Sequence, residues 1–338
     1  MEDSTINQSL HKNKYDEEEW NSCLSGFTNN NIFQSYEWGE LKKHEGWDVV
    51  RVKIKDDQDG EILIAQIITK RIFGVKIGWC PGGPLIKNIN NIKTKYALDE
   101  FKKLLSIENL ANLRCKPFME DSEINRDLFS NFIKPINKIT SRKTNVLIVQ
   151  KESIFLEQMK KKHRYYIKQS QRIKIDWKIE DSEIGAKTFL DISQEMQKNK
   201  RLKLPMINLS LFGKLFNKSK THQMFTLSGY HEGDCIVSCV ISIFNNKAFY
   251  HYAASSAKGR DCYASYGMIY HLMKYLYSLG VHVLDFGGLS EDGSSVGVDS
   301  FKEGFNGEEV LRIGEFDISK SKLHNYIFNK AVNFKKNL

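Results

Sequence analysis

The chain has 338 residues, 41% of them hydrophobic and 27% charged, with a formal net charge of +9 at neutral pH. That is enough chain for a full hydrophobic core, and too apolar a composition for a disordered protein. The positive charge admits a polyanionic partner, RNA or a membrane surface, without demanding one.

The N-terminal stretch MEDSTINQSLHKNKYDEEEW is polar and acidic and lacks the apolar core of a secretory signal. The best candidate for a membrane span, ILIAQIIT, stops at Lys70 and Arg71, well short of the ~20 apolar residues needed. A cytoplasmic protein with no transmembrane segment is expected. Residues 33–47, FQSYEWGELKKHEGW, read as a helix start in which Ser35 can cap and Trp38 and Leu41 can pack. Residues 47–55 and 61–70 are strand-like runs joined by DDQDG, a hairpin signal. A third run, Phe73 to Trp79, leads into the rigid turn Cys80-Pro-Gly-Gly-Pro84. KTKYALDEFKKLLSIENL has helical spacing, with Tyr96, Phe101, Leu104 and Leu105 along one side. ANLRCKPF and TNVLIVQ read as strands with a short helix between them, closing a mixed α/β unit near Gln150.

A second unit opens with a helix from Ser153 to Ile173. Met159, His163, Tyr166, Ser170 and Ile173 form a stripe for the core, and Lys161, Arg164, Lys168 and Arg172 a basic stripe for solvent or a polyanion. Tyr165 and Tyr166 sit among these charges and could stack on bases. Two helical stretches, 183–198 and 209–218, precede a meander of three strands, QMFTLSGY, DCIVSCVISIF and KAFYHYAAS, linked by short turns. A helix over 265–279 ends at Gly280, then come the strands VHVLDF and VLRIGEF and a basic terminal helix. The six cysteines are scattered. Cys235 and Cys239 fall on one face of a strand by spacing and read as buried thiols. No Cys/His set has zinc-ligand spacing, so no metal is expected.

The segment 249–317 combines Tyr250-x-Tyr252-Ala-Ala-Ser, Ala264-Ser265-Tyr266, Asp285-Phe-Gly-Gly and Phe301-Lys302. Upstream stand Gln34-Ser-x-x-Trp38 with Lys42, then Gly46-Trp47, the turn Trp79-Cys-Pro-Gly-Gly-Pro, and the basic helix KKKHRYYIKQSQR. Together these motifs resemble the FemAB-like, peptidoglycan bridge-forming aminoacyltransferases, in the short form without a long helical hairpin insert. The resemblance covers nearly the whole chain, most closely 249–317. It implies an α/β (α+β) fold of two tandem GNAT-like acyltransferase domains, each a mixed, mostly antiparallel sheet flanked by helices. The expected domains are 1–150, rejoined by the terminal helix 318–338, and 151–317. It implies catalytic roles for Lys302 and Tyr252, contact with a substrate diphosphate for Lys42, and substrate contacts for Trp38, Tyr250, Arg260 and Phe301. It also makes the basic stripe a candidate tRNA contact.

Two departures stand out. Lys87 occupies the place of a family aspartate that contacts substrate, so that contact is now basic. Leu204 precedes Pro205 where an arginine is usual, with Lys200, Arg201 and Lys203 close by. Asp285-Phe286-Gly287 alone could suggest a protein kinase, but no HRD catalytic loop accompanies it.

Aminoacyl transfer requires an amine to attack an ester carbonyl, so the site must orient two substrates and stabilise an oxyanion. Lys302 is the candidate for that charge; a surface lysine beside a glycine turn is its ordinary alternative. The turn Lys258-Gly-Arg-Asp-Cys-Tyr-Ala-Ser is basic but lacks the second glycine of a CoA pyrophosphate loop, which favours aminoacyl-tRNA as co-substrate and no cofactor. Three functions stay open. One is aminoacyl transfer from aminoacyl-tRNA to a free amine of a peptidoglycan precursor or related cell-envelope glycopeptide, at the inner face of the membrane if the precursor is lipid-linked. The others are acyl-CoA-dependent N-acylation of an envelope amino sugar, and non-catalytic binding of RNA or a membrane surface.

Overall fold

Two runs of β-branched residues seed the first sheet. In the computed structural model, which describes residues 8–12, 15–58, 60–72, 74–87, 91–200, 208–217 and 222–336, the predicted hairpin forms from β2 (Asp48–Asp56) and β3 (Gly60–Ile72). The two pair antiparallel with Val50 opposite Ile67. Before them lies β1 (Gln8–Lys12), and after them β4 (Val75–Gly82), β5 (Leu85–Ile86) and β6 (Asn112–Pro117), the last parallel to β4. Helices α1 (Glu17–Ser25), α2 (Tyr36–His44), α3 (Asn91–Lys102), α4 (Leu104–Ile107) and α5 (Glu123–Leu128) accompany this sheet. The helix expected over 93–110 breaks at Lys103, and its buried side is Ala97, Leu98, Phe101 and Leu104, while Tyr96 is 36% exposed.

The second sheet contains β7 (Lys143–Ile148), β8 (Asp176–Asp181), β9 (His222–His231), β10 (Asp234–Phe244), β11 (Lys247–Ser255), β12 (Val283–Gly288) and β13 (Glu308–Leu311), in the order β13-β7-β12-β11-β10-β9-β8. Its hairpin turns place Glu232-Gly233 and Asn245-Asn246 at positive φ, the backbone that a two-residue turn between twisted strands requires. Helices α6 (Glu152–Gln158), α7 (Lys161–Gln171), α8 (Ser182–Lys200), α9 (Leu209–Phe216), α10 (Ala257–Asp261), α11 (Ala264–Ser278) and α12 (Val296–Glu303) belong with it. The single helix expected over 153–173 is two helices. Met159 and Lys160 turn extended, and the Arg164 guanidinium donates to the carbonyls of Glu157 and Met159 at 2.8 Å, capping the end of α6. Cys239, Ile241 and Ile243 pack with Met268, Leu272 and Leu276 of α11. Across the sheet, Phe244 meets Phe216 of α9. A register shift between Cys235 and Val237 keeps the two cysteines off a common face: Cys239 is in the α11 core, Cys235 lines a cavity beside α8.

The strand expected over 310–316 is divided. β13 stays in the second sheet, and after Gly314 (φ +89°) the chain enters β14 (Phe316–Ser319), which pairs antiparallel with β6 of the first. The last helix, α13 (Lys322–Lys336), follows. The first unit is therefore Met1–Arg142 with Leu311–Leu338, and the second Lys143–Val310. TNVLIVQ, expected to close the first unit, pairs instead with β12, so the division falls at Arg142 and not at Gln150. Alternation marks such a run as a strand but cannot say which sheet will take it.

Buried charge ties the returning segment down. Arg114 of β6, wholly buried, donates to both oxygens of Asp317 at 2.8 Å and to Asn329 Oδ1 at 2.9 Å. Glu315 accepts the Ile139 and Thr140 backbone N–H groups. Among the described residues no helix is long and apolar enough to cross a membrane.

Candidate active site

β11 and β12 are parallel for three residue pairs, Lys247–Val283 to Phe249–Asp285, and then part. Each strand bulges at that point. On β11, Tyr250 pairs with Ile241 of β10 but Tyr252 pairs with Val240, which leaves His251 as an extra residue. On β12, pairing with β7 jumps from Asp285–Val146 to Gly288–Thr144. Gly287 takes φ +84°, a conformation that strains a residue with a side chain. The Asp285 carboxylate fixes this turn, accepting the Gly287 N–H at 3.0 Å and the Thr144 hydroxyl at 2.5 Å.

Into this divergence points Lys302, from α12. Its ammonium donates to Gly288 O at 2.7 Å and lies 6.0 Å from the centre of the Phe286 ring. Burial pulls its pKa below the ordinary lysine value, with Asp299 and Asp285 working against the shift. Gly288 O takes one of the three N–H donors of this ammonium. The helix that carries Lys302 is pinned on several sides. Asp299 accepts from the Ser290 N–H and hydroxyl. Phe301 packs edge-on against Tyr266 and Phe305, both at 5.2 Å. The His163 ring donates from Nε2 to Phe301 O at 3.0 Å, and burial lowers its pKa, so it stays a neutral donor. Gly304 makes room for that ring: a Cβ there would sit 1.9 Å from His163 Cε1. The arrangement presents a partly desolvated cation, rigidly held, beside a backbone cleft. It can bind an anionic oxygen and stabilise one that forms there.

The FemAB family model matches residues 16–143 and 217–333. The chain belongs to the FemAB family. The crystal structure of FemX superposes with a TM-score of 0.79 at 16% identity, covering 94% of this chain and 100% of that one. A tandem GNAT protein from the clavulanic acid biosynthesis pathway gives 0.55 at 7% identity, over 92% of this chain and 98% of that one. The structure of L-PGS from Bacillus licheniformis gives 0.51 at 12% identity, over 80% and 86%. At these identities the likeness is one of fold, and the fold is the tandem GNAT arrangement. A comparison with curated protein sequences found no match. The FemAB-family chain is an acyltransferase.

Within this FemAB-family chain the second unit gathers Lys302, Phe301 and Tyr250, the last edge-on to Phe286 at 4.8 Å. Tyr252 is separated from Tyr250 by the bulge. Tyr250 and Ala253 pack on the α11 core, whereas Tyr252 is beside Phe189 of α8 at 6.1 Å. Simple alternation would have put the two tyrosines on one face. His251 shares the Tyr252 side, 2.7 Å from the Ser242 hydroxyl, and burial lowers its pKa to about 4. Arg260, exposed on α10, donates to Ser255 O at 3.2 Å. On α7, Lys161, Lys168 and Arg172 are exposed, while Arg164 is committed to capping α6. Tyr166 leaves the core stripe to Ile167 and stacks on Tyr263 at 4.7 Å.

The remaining candidates belong to the first unit. Ser35 caps α2 through the Trp38 N–H, as expected, and Lys42 lies 4.9 Å over the Trp38 ring with its ammonium on Glu45 at 2.6 Å. Lys87 stands over the Phe27 ring at 5.2 Å. The motif glutamine, Gln34, is wholly buried and spans Gln66 O and Pro81 O at 3.0 and 2.8 Å, so it fastens the middle of β3 to the end of β4. Arg201, Lys203, Leu204 and Pro205 lie outside the described residues, as does the side chain of Lys200. His163, Asp299, Thr144 and Gly304 were not expected at the site.

Proposed function

We propose that this FemAB-family acyltransferase moves an aminoacyl group from aminoacyl-tRNA to a free amine of a peptidoglycan precursor or related cell-envelope glycopeptide. The observation that carries the reading is the Lys302 ammonium, held at the parting of β11 and β12 with its charge partly desolvated. In the reaction the acceptor nitrogen attacks the ester carbonyl and forms the new C–N bond. Lys302 donates a hydrogen bond to the oxyanion as it develops. Collapse of that intermediate breaks the C–O bond to the ribose, whose oxygen takes the proton the amine gives up. Phe301, Asp299 and His163 act by keeping α12 in register with the cleft.

The segment after β11 supports this donor over acyl-CoA. A CoA loop offers unpaired backbone N–H groups to a pyrophosphate. Here the segment is coiled into α10, and the N–H groups of Gly259, Arg260, Cys262 and Tyr263 already bond to Ser256 Oγ, Ser256 O, Lys258 O and Arg260 O. The exposed stripe of Lys161, Lys168 and Arg172 suits a phosphate backbone. A lipid-linked precursor would bring the protein to the inner face of a membrane.

The test is transfer of radiolabelled amino acids from a charged total-tRNA pool to envelope precursors by the purified protein. Incorporation abolished by RNase supports the proposal. RNase-resistant acylation with release of CoA thiol overturns the donor.

A further inference from the structure

The terminal helix has apolar side chains on its outer face as well as its inner one. Its protein-facing side mixes polar and apolar groups: Asn325 donates to Asp317 Oδ2 at 3.0 Å, Asn329 accepts from Arg114 at 2.9 Å, and Phe328 is buried with its ring 4.9 Å from the Arg114 guanidinium. The opposite side is apolar, with Leu323 65%, Tyr326 53% and Ile327 57% exposed. A surface helix normally buries such residues. The neighbouring loop adds to this surface. Asn137 is bonded to Asn329 through both its backbone N–H and its side chain, and Ile136 beside it is 75% exposed. At the start of α13, Lys320 donates to Asn109 Oδ1, two residues from Ile107, which is 55% exposed.

The two segments that carry α13 and Ile136 have charge of one sign. From Lys320 to the end the sequence has five lysines and no carboxylate, and residues 129–142 also have none. Lys330 reaches over the Tyr326 ring at 5.5 Å, so cation and apolar surface occupy the same side of the helix.

We propose that the outer face of α13, with the loop bearing Ile136, docks this protein on an anionic membrane surface. Leu323, Tyr326 and Ile327 would rest at the acyl boundary and the lysines among the headgroups, the division of labour of an interfacial amphipathic helix. A second copy of the chain is a poorer occupant, because a two-fold contact brings the same lysines against each other. RNA is also poorer, since a phosphate backbone gives exposed leucine and isoleucine nothing to gain. The inference rests on the acceptor class proposed above, for a lipid-linked precursor is met at a membrane, but it does not depend on the donor.

Co-sedimentation of the full chain with vesicles tests it, without donor or acceptor present. The wild type is expected to bind mixed phosphatidylglycerol–phosphatidylcholine vesicles, with binding weakened by salt, and to bind pure phosphatidylcholine at least tenfold less. Leu323→Glu with Ile327→Glu is expected to lower the partition coefficient at least tenfold, while far-UV circular dichroism and transfer to a soluble precursor stay unchanged. The lysine arm, Lys322→Glu with Lys330→Glu, is expected to lower binding to the mixed vesicles alone. Wild-type protein that ignores the mixed vesicles overturns the proposal, as does undiminished binding by the leucine–isoleucine variant. A dimer, or a complex with tRNA, that this variant abolishes would assign the face to another partner and overturn it equally. Loss of vesicle binding with transfer intact would leave the proposed reaction standing, and the converse would leave the docking surface standing.

Discussion

A lysine in water is a weak catalyst of oxyanion formation, because solvent already satisfies the charge. In the proposed reaction Lys302 differs because Phe286 and the two diverging strands take part of that solvent away. The same burial makes the proton easier to lose. Only the protonated side chain has the positive charge that offsets the oxyanion, so activity should fall on the alkaline side at a pH below the ordinary lysine value of 10.5. Lys302→Arg, which stays protonated, should keep part of the activity and shift that alkaline limb upward in a profile of kcat against pH. An unmoved limb would assign it to another group. A second titration belongs to His251, whose folded pKa of about 4 is below its ordinary 6.5. As pH falls from about 6.5 toward 4 the unfolded chain takes up the proton first, so stability is present above this window and is lost through it. His163 and His271, also lowered by burial, act in the same direction. His251→Gln should make urea midpoints flatter across that window than those of the wild type.

At the scale of elements, the site depends on where strands stop pairing and on how α12 is seated. Gly304→Ala would drive a methyl into the His163 ring, an overpacking that should cost about 1–3 kcal/mol. Because α12 must shift to relieve it, kcat should drop along with the denaturation midpoint. Elements with a strong period were legible in the sequence. The β2–β3 hairpin, the three-strand meander and α11 with its Gly280 stop stand where alternation and turn chemistry put them. Features set by tertiary hydrogen bonds were not. The β11 bulge puts Tyr252 on the other face from Tyr250, and no local pattern announces one extra residue. The break between α6 and α7 lies inside a run with continuous helical periodicity, and Arg164, read as a free basic residue, turned out to stabilise it. Lys302 and Phe301 were legible through family motifs alone. His163 was legible as a core residue, but its bond to Phe301 O required the fold.

At the scale of the molecule, two GNAT units are built from one chain that leaves the first and later returns to it. The return is secured by Arg114 and Asp317, and an isolated buried cation is far costlier than the pair. Asp317→Ala should therefore destabilise the protein by about 3–5 kcal/mol, read from chemical denaturation, and more than Asn325→Ala, which removes a neutral partner. The units are not equivalent. In the first, β4 and β6 stay paired over six residue pairs, from Ile77–Asn112 to Gly82–Pro117, whereas β11 and β12 part after three. The proposed acyl transfer accordingly belongs to the second unit, with Lys302 at the parting of its strands. The most direct test is single-turnover aminoacyl transfer by wild type and Lys302→Ala at saturating precursor, with folding checked by circular dichroism. The expected result is a rate lower by roughly 10²–10³ in a fully folded variant. A Lys302→Ala protein that transfers at the wild-type rate would contradict it and remove the catalytic centre from the parting of β11 and β12.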